Sequence, residues 1–276
     1  MEQKIWFITG ISSGLGKALA QTVIEKGDFV IGTFRNQMQA DIFNNQHKDE
    51  AFAFVLDITQ PEQIDKTFKQ INKEFGRVDV LVNNAGFGFA GAVEETSSDE
   101  IRAVFEANFF GTLKLTQAFL PLLRQQKSGH IIQISSHGGF KAFAGFGIYN
   151  ASKFAVEGFS EALAQEVAPL GIKVTIVEPG PFRTNFAGSG LILAEQTIAD
   201  YSETAGVFRE KIKGVDGKQE GDPDKAAKAI FEITQNQNPP LRLPLGKVAL
   251  LSLATKLESV RTDLENFRHI AESVVF

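Results

Sequence analysis

Over the first 180 residues, short apolar runs alternate with longer amphipathic stretches. Residues 5–8, 29–33, 52–56, 80–82, 130–134 and 174–177 are each brief and mostly bounded by glycine or polar turn residues, which predicts buried strands. Between them, residues 15–25, 61–75, 98–123 and 150–168 repeat apolar positions at helical spacing. Strands that alternate with helices imply βαβ units with right-handed crossovers. The expected fold class is therefore α/β, a single Rossmann-type doubly wound parallel sheet. Strands that are apolar on both sides suit a sheet covered on both faces.

The pattern breaks after Pro179. Residues 181–220 carry five glycines among scattered apolar positions, which predicts a mobile loop with short helices. Asp222-Pro223 opens a further helix over 225–234, a polar turn follows over 235–240, and residues 241–243 predict a last strand. Residues 247–275 form an amphipathic helical tail, a C-terminal extension of the fold. No repeat or composition shift divides the chain. One domain over 1–276 is expected, with a cofactor and catalytic core over 1–184, a substrate loop over 185–220 and the tail over 247–276.

Composition narrows the function. The chain has 276 residues, 43% of them hydrophobic and 22% charged, which suits a globular protein with a sizeable core. A net charge of −5 leaves no basic excess for neutralising phosphates, so nucleic acid is not expected as a partner. Cysteine is absent, which excludes disulfides, thiolate–metal sites and cysteine nucleophiles; no metal site is expected. No leader-like or membrane-spanning apolar run stands out, and the expected location is cytoplasmic.

Candidate chemistry starts at the end of the first strand, in Thr9-Gly10-Ile11-Ser12-Ser13-Gly14-Leu15-Gly16. Glycines let a backbone turn tightly and approach a pyrophosphate, and the helix that follows offers free N–H groups and the positive end of its dipole. A strand before the loop and a helix after it are the context that separates a nucleotide site from an ordinary turn. Further on, Tyr149 and Lys153 lie four residues apart on one helical face. A free tyrosine titrates at about 10, and a nearby ammonium group stabilises its phenolate. Ser136 follows the strand 130–134, at the sheet edge where ligands bind, and its hydroxyl can orient a substrate oxygen; Ser135 is its competitor.

The glycines at 10, 14 and 16 depart from G-x-G-x-x-G and resemble the T-G-x-x-x-G-x-G turn of the short-chain dehydrogenase/reductase family, in its 17β-hydroxysteroid dehydrogenase-like and carbonyl reductase branch. Tyr149-x-x-x-Lys153 is similar to that family's catalytic pair, and Ser136 stands thirteen residues before the tyrosine, as its serine does. Asn83-Asn84-Ala85-Gly86 resembles the N-N-A-G segment, and Pro179-Gly180-Pro181-Phe182-Arg183-Thr184 resembles P-G-x-x-x-T. The resemblance covers residues 4 to about 184. It implies Tyr149 as general acid/base, Lys153 as its tuner and ribose ligand, Ser136 as substrate orienter, and Asn108 as support for a water-linked proton relay. It implies a nicotinamide cofactor held by Gly10, Ser12, Ser13, Gly14, Leu15, Gly16, Asn84, Ala85, Gly86, Tyr149, Lys153, Pro179, Gly180 and Thr184. Asp57, beside Ile58, resembles the family's adenine contact, although it can equally cap a helix.

The second strand distinguishes the cofactors. Phe34 stands where NAD-selective folds place a carboxylate, and Arg35 follows it. An arginine pairs with a 2′-phosphate, so NADP(H) is favoured, with NAD(H) as the alternative. Phe87, Phe89, Phe140, Phe143, Phe146, Phe182 and Phe186 fall in segments expected around the cleft and suggest an apolar carbonyl or alcohol substrate. His137 is expected to face either substrate or solvent. By the same resemblance the chain forms a homodimer or homotetramer through the helices 98–123 and 150–168. The function the resemblance implies is hydride transfer between the nicotinamide and the substrate's carbonyl or alcohol carbon; the rivals are an NAD-linked alcohol dehydrogenase and a non-catalytic nicotinamide-nucleotide sensor.

Overall fold

The computed structural model describes residues 2–276. In chain order the elements are β1 (Ile5–Ile8), α1 (Gly14–Glu25), β2 (Phe29–Phe34), α2 (Gln37–Gln46), β3 (Ala51–Val55), α3 (Pro61–Glu74), β4 (Val80–Asn83), β5 (Gly88–Ala90), α4 (Ser98–Phe105), α5 (Gly111–Gln126), β6 (Gly129–Ile134), α6 (Gly147–Val167), β7 (Ile172–Pro179), β8 (Leu191–Leu193), α7 (Val207–Gly214), α8 (Pro223–Ile233), β9 (Arg242–Leu245) and α9 (Lys247–Glu272). Seven strands form one parallel sheet in the order β3-β2-β1-β4-β6-β7-β9. The chain reverses direction across the sheet between β1 and β4, and that reversal opens a crevice at the strands' carboxyl ends.

The alternation of side chains along β1 shows why the sheet is covered twice. Trp6 and Ile8 point to one face, into a cluster with Leu19 and Val23 of α1 and Ala227 and Ile230 of α8. Phe7 points to the other, among Ile64 of α3 and Leu115 and Phe119 of α5. Phe7 stacks on Phe119 with ring centroids 4.8 Å apart. All three β1 side chains are fully buried, and each such burial contributes about 1.5–3 kcal/mol. A one-residue slip in register would exchange the two sets, which is why the pairing is fixed.

The predicted strands and helices all form, with small shifts at their ends. Three features differ from expectation. Helix α2 is polar and buries only Ala40, so it lacks the apolar stripe that periodicity detects. It is fastened instead by side chains: Asn36 accepts from the Gln39 amide, and the Asn44 side chain exchanges two hydrogen bonds with the backbone of Ala53. The long helix expected over 98–123 is divided into α4 and α5 by a π-helical turn, Glu106–Phe110. Finally, the stretch expected to be a loop with short helices also carries a strand: β8 pairs in parallel with β5, while α7, one of its short helices, sets Phe208 and Ile212 against Phe146 and Phe186.

Candidate active site

A cleft of about 1510 Å³ runs over the carboxyl ends of β1, β2, β4, β6 and β7. Its floor begins at the glycine loop, where Gly10 and Gly14 take left-handed backbone angles, φ +70° and +58°. Ser13 begins α1 without a side-chain cap, so the first-turn N–H groups are left to whatever enters the cleft. Ser12, Ser13, Gly14 and Leu15 line it. Gly16 does not: a Cβ there would lie 2.3 Å from Asn84 Nδ2 and 2.5 Å from the Gly10 carbonyl oxygen. It is the residue that lets α1 pack against β4, not a contact of the cleft. Asn84 Nδ2 donates to the carbonyls of Thr9 and Gly10 at 2.8 and 3.1 Å, tying the glycine loop to the N-N-A-G segment.

At the end of β2, Phe34 is buried and packs on Phe43. Arg35 is exposed at the cleft wall and makes no ion pair among the described residues. Asp57 and Ile58 also line the cleft. One Asp57 oxygen accepts from the Thr59 amide and hydroxyl at 2.9 and 2.8 Å, so this side chain holds the turn into α3.

Tyr149 and Lys153 sit in the first two turns of α6, and both are buried yet line the cleft. Lys153 Nζ donates to the Ile134 carbonyl at 2.9 Å and lies 6.0 Å from the Tyr149 ring centroid. The Ser136 Oγ accepts from the Gly138 amide at 2.9 Å, which leaves its own proton for the neighbouring Tyr149 oxygen. Burial pushes Tyr149 up to about 12, against the pull of that Ser136 hydrogen bond. Burial likewise brings Lys153 down to about 8, opposed by the charge of Glu157. Desolvation thus outweighs the hydrogen bond, and Tyr149 stands above its ordinary value where the neighbouring ammonium group was expected to bring it below, so it holds its proton through the neutral range.

Asn108 lies in the π-helical turn, buried behind the cleft wall. Its Oδ1 accepts from the Phe87 amide at 3.0 Å, and its Nδ2 donates to the Phe87 carbonyl and to Ser152 Oγ at 3.0 and 3.2 Å. Both amide protons are committed, so the side chain braces the segment after Gly86. A Cβ on Gly86 would meet Asn108 Oδ1 at 2.8 Å and Lys153 Nζ at 3.7 Å, so the glycine keeps the lysine accessible. Ala85, Gly86, Pro179, Gly180 and Thr184 complete the lining. Thr184 closes against Gly14, its Cβ 3.3 Å from where a side chain there would begin. His137 lines the cleft and touches Ser252 Oγ of α9 at 3.1 Å. Burial and then the charge of Lys141 bring it down to about 4, so it is neutral.

The aromatic expectation holds in part. Phe87, Phe143, Phe146, Phe182 and Phe186 line the cleft, joined by Phe208 and Ile212 of the folded segment. Phe89 is core, and Phe140 lies 5.5 Å beneath the Arg242 guanidinium.

That arginine belongs to a cluster that sequence reading missed. Arg242 reaches Glu157 at 3.0 Å, Glu161 at 2.7 Å and Glu178 at 3.1 Å. Glu178 is fully buried and Glu157 nearly so. Burial, then the charge of Glu157, push Glu178 up to about 8 despite Arg242. Burial also raises Glu157, opposed by hydrogen bonding to Ser135 and by Arg242. Two of the carboxylates lie close in sequence to cleft residues: Glu157 is one turn beyond Lys153, and Glu178 precedes Pro179. A glutamate closing an apolar strand was the available signal; Arg242 had none. A second buried pair, Glu95 with Arg209 at 2.6 Å, seats α7 on the segment after β5. Burial raises the Glu95 carboxyl, but the Ile198 and Ala92 amides and Arg209 outweigh it and hold it below the usual range.

The sheet order, the glycine turn and the serine–tyrosine–lysine row define a dinucleotide-binding oxidoreductase architecture. The chain belongs to the short chain dehydrogenase family, whose sequence pattern matches residues 4–190. It is 40% identical to the oxidoreductase BOA17 of Botryotinia fuckeliana, over 97% of this chain and 98% of that one. It is 38% identical to a 3-ketodihydrosphingosine reductase of Bacteroides thetaiotaomicron, over 92% of each. A crystal structure of a short-chain dehydrogenase from Streptomyces avermitilis superimposes with a TM-score of 0.94 at 44% identity, over the whole of both chains. Among the described residues, no helix is long and apolar enough to cross a membrane and no cluster could hold a metal ion.

Proposed function

We propose that this oxidoreductase reduces the carbonyl of an apolar substrate with NADP(H). The observation that carries the reading is the convergence of Ser136, Tyr149 and Lys153 in a cleft whose far end offers the open N-terminus of α1 and the unpaired Arg35. The glycine cradle fits a dinucleotide: Gly10 and Gly14 leave room for a pyrophosphate, Asp57 and Ile58 border an adenine pocket, and Arg35 suits a 2′-phosphate. When bound, the nicotinamide supplies or accepts the hydride.

The chain's own residues manage the proton and the geometry. Tyr149, protonated in its buried setting, donates to the developing alkoxide. Ser136 aligns the carbonyl oxygen for that transfer, and Lys153 holds ribose hydroxyls with the donors that Ile134 does not use. Since the Asn108 side chain is committed, any relay there runs along main-chain carbonyls of the π-helical turn. Phe143, Phe146, Phe186 and Phe208 make the substrate half apolar, and the keto group named in the Bacteroides relative's substrate favours a ketone. In this reading the whole chain works as one catalytic unit of the carbonyl reductase type. It associates through α5 and α6, where the exposed Phe154 of α6 and the exposed Phe110 just before α5 support a covered face.

The test is NADPH consumption with a panel of aliphatic ketones. Tyr149→Phe lowers turnover by about 10²–10⁴-fold while leaving NADPH binding within about threefold. Undiminished turnover in that variant defeats the mechanism, and binding without turnover in the native protein favours the sensor function.

A further inference from the structure

Asn150 follows Tyr149 near the start of α6 and is only 2% exposed. A side-chain amide taken out of water costs free energy unless its donor and acceptor ends are both paired. Here both ends are used, and both reach into one loop. Nδ2 donates to the Gly138 carbonyl at 2.8 Å, and Oδ1 accepts from the Phe143 amide at 2.9 Å. Neither of those groups has a main-chain partner among the described residues. One side chain therefore satisfies two backbone groups of the irregular stretch between β6 and α6, where no ladder can do so.

That stretch carries Ser136 at its start and Phe143, a wall of the cleft, further along. Gly138 is where the connections meet. Its amide donates to Ser136 Oγ at 2.9 Å, while its carbonyl takes the Asn150 proton. A Cβ on Gly138 would stand 2.6 Å from Asn150 Nδ2, 3.2 Å from Ser136 Oγ and 3.6 Å from Tyr149 Cε1, so three side chains converge on a residue that has none. The turn keeps its own shape by other bonds: the Gly139 amide donates to the Ser136 carbonyl and the Lys141 amide to that of His137, at 2.8 and 3.0 Å. The His137 ring is held from α9, by Ser252. Among the described residues, only Asn150 ties the short helical turn His137–Gly139 to α6 by a hydrogen bond, and α6 carries the phenol. An orienting hydroxyl acts through its placement, and an error of about 1 Å costs about 10²-fold in rate.

We propose that Asn150 is a positioning residue for the Ser136–Tyr149 pair: it fixes Gly138 against α6 so that the serine hydroxyl meets the phenol, and the same side chain sets Phe143 in the substrate wall. The kinetic consequence rests on the reductase function proposed above; the geometric one does not.

The chain has two tyrosines, Tyr149 and Tyr201, so a carbon NMR spectrum of the free protein with Cζ-labelled tyrosine gives two resonances, which Tyr149→Phe assigns. Asn150→Ala moves the Tyr149 resonance, and it moves it by less than about half as much in a Ser136→Ala background, because the amide acts through the serine. In NADPH consumption with a ketone that the native protein reduces, Asn150→Ala lowers kcat by about 10–10²-fold, but by less than about twofold in the Ser136→Ala background. The NADPH dissociation constant stays within about twofold throughout. If Asn150→Ala fails to fold, Asn150→Ser takes the same measurements, with a hydroxyl kept at the site but too short to span Gly138 and Phe143. Equal losses of kcat in the two backgrounds make the amide a plain structural staple and overturn the proposal, as does an unmoved Tyr149 resonance. A native protein that turns over no ketone defeats the reductase function instead, and the resonances still decide the positioning.

Discussion

Replacing Arg242 with methionine removes the guanidinium that bridges three carboxylates, two of them buried. Methionine retains the stem's volume, so the change is mainly one of charge. Glu157 and Glu178 are then left facing each other out of water, and breaking a buried ion pair from one side costs about 3–5 kcal/mol. The loss depends on pH in a definite sense. Glu178 keeps its proton to about pH 8 in the folded protein, against an ordinary value of 4.5 in the unfolded chain. Between those values the folded state binds more protons, so stability falls as pH rises through the window. Without Arg242 both carboxyls shift further upward, and the fall steepens. Urea unfolding followed by circular dichroism is expected to show the loss of about 3–5 kcal/mol at pH 8 and roughly half of it at pH 5. Adding Glu178→Gln to the Arg242→Met background recovers about half of the pH 8 loss, because one of the opposed carboxylates is gone. A loss under about 1 kcal/mol, equal at both pH values, refutes the reasoning and reduces the cluster to screened surface contacts.

Three further outcomes follow from the cleft. Ketone reduction should hold steady through neutral pH and decline above about pH 8, where Lys153 loses its proton; Lys153→Arg moves that decline upward in a pH–rate profile, because guanidinium does not titrate there. Gly16→Ala forces apart the 2.3 Å and 2.5 Å approaches to Asn84 and Gly10, so thermal unfolding should show a loss of about 1–3 kcal/mol along with weakened dinucleotide binding. Arg35→Ala is expected to weaken NADPH binding by about tenfold in fluorescence titration, with NADH changed by less than about twofold; equal effects on both would assign Arg35 no part in phosphate selection.

The strands and the amphipathic helices were legible because each buries a periodic apolar set: Trp6 and Ile8 against α1, Phe7 against α5. The serine–tyrosine–lysine row was legible because its spacing is local to one strand end and one helix. Helix α2 was not, since Asn36 and Asn44 hold it by hydrogen bonds that leave no hydrophobic period. The Glu95–Arg209 pair joins residues 114 positions apart, a separation that no local pattern encodes. The phenol's shift went the other way from expectation for a related reason: sequence spacing places Lys153 beside Tyr149 but is blind to how deeply both are buried. Gly16 and Asn108 matched their motifs yet proved to be the braces behind the cleft rather than its surface.

The parallel pairing of β5 with β8 has a kinetic consequence. β5 begins two residues beyond Gly86, and β8 begins seven beyond Thr184. The folded segment after Thr184 is therefore tied by main-chain pairing to the segment that follows Gly86. On the proposed function, opening this segment is expected to disturb the segment after Gly86 as well, so that product and coenzyme release would be coupled, which a comparison of the two off-rates in stopped flow would check.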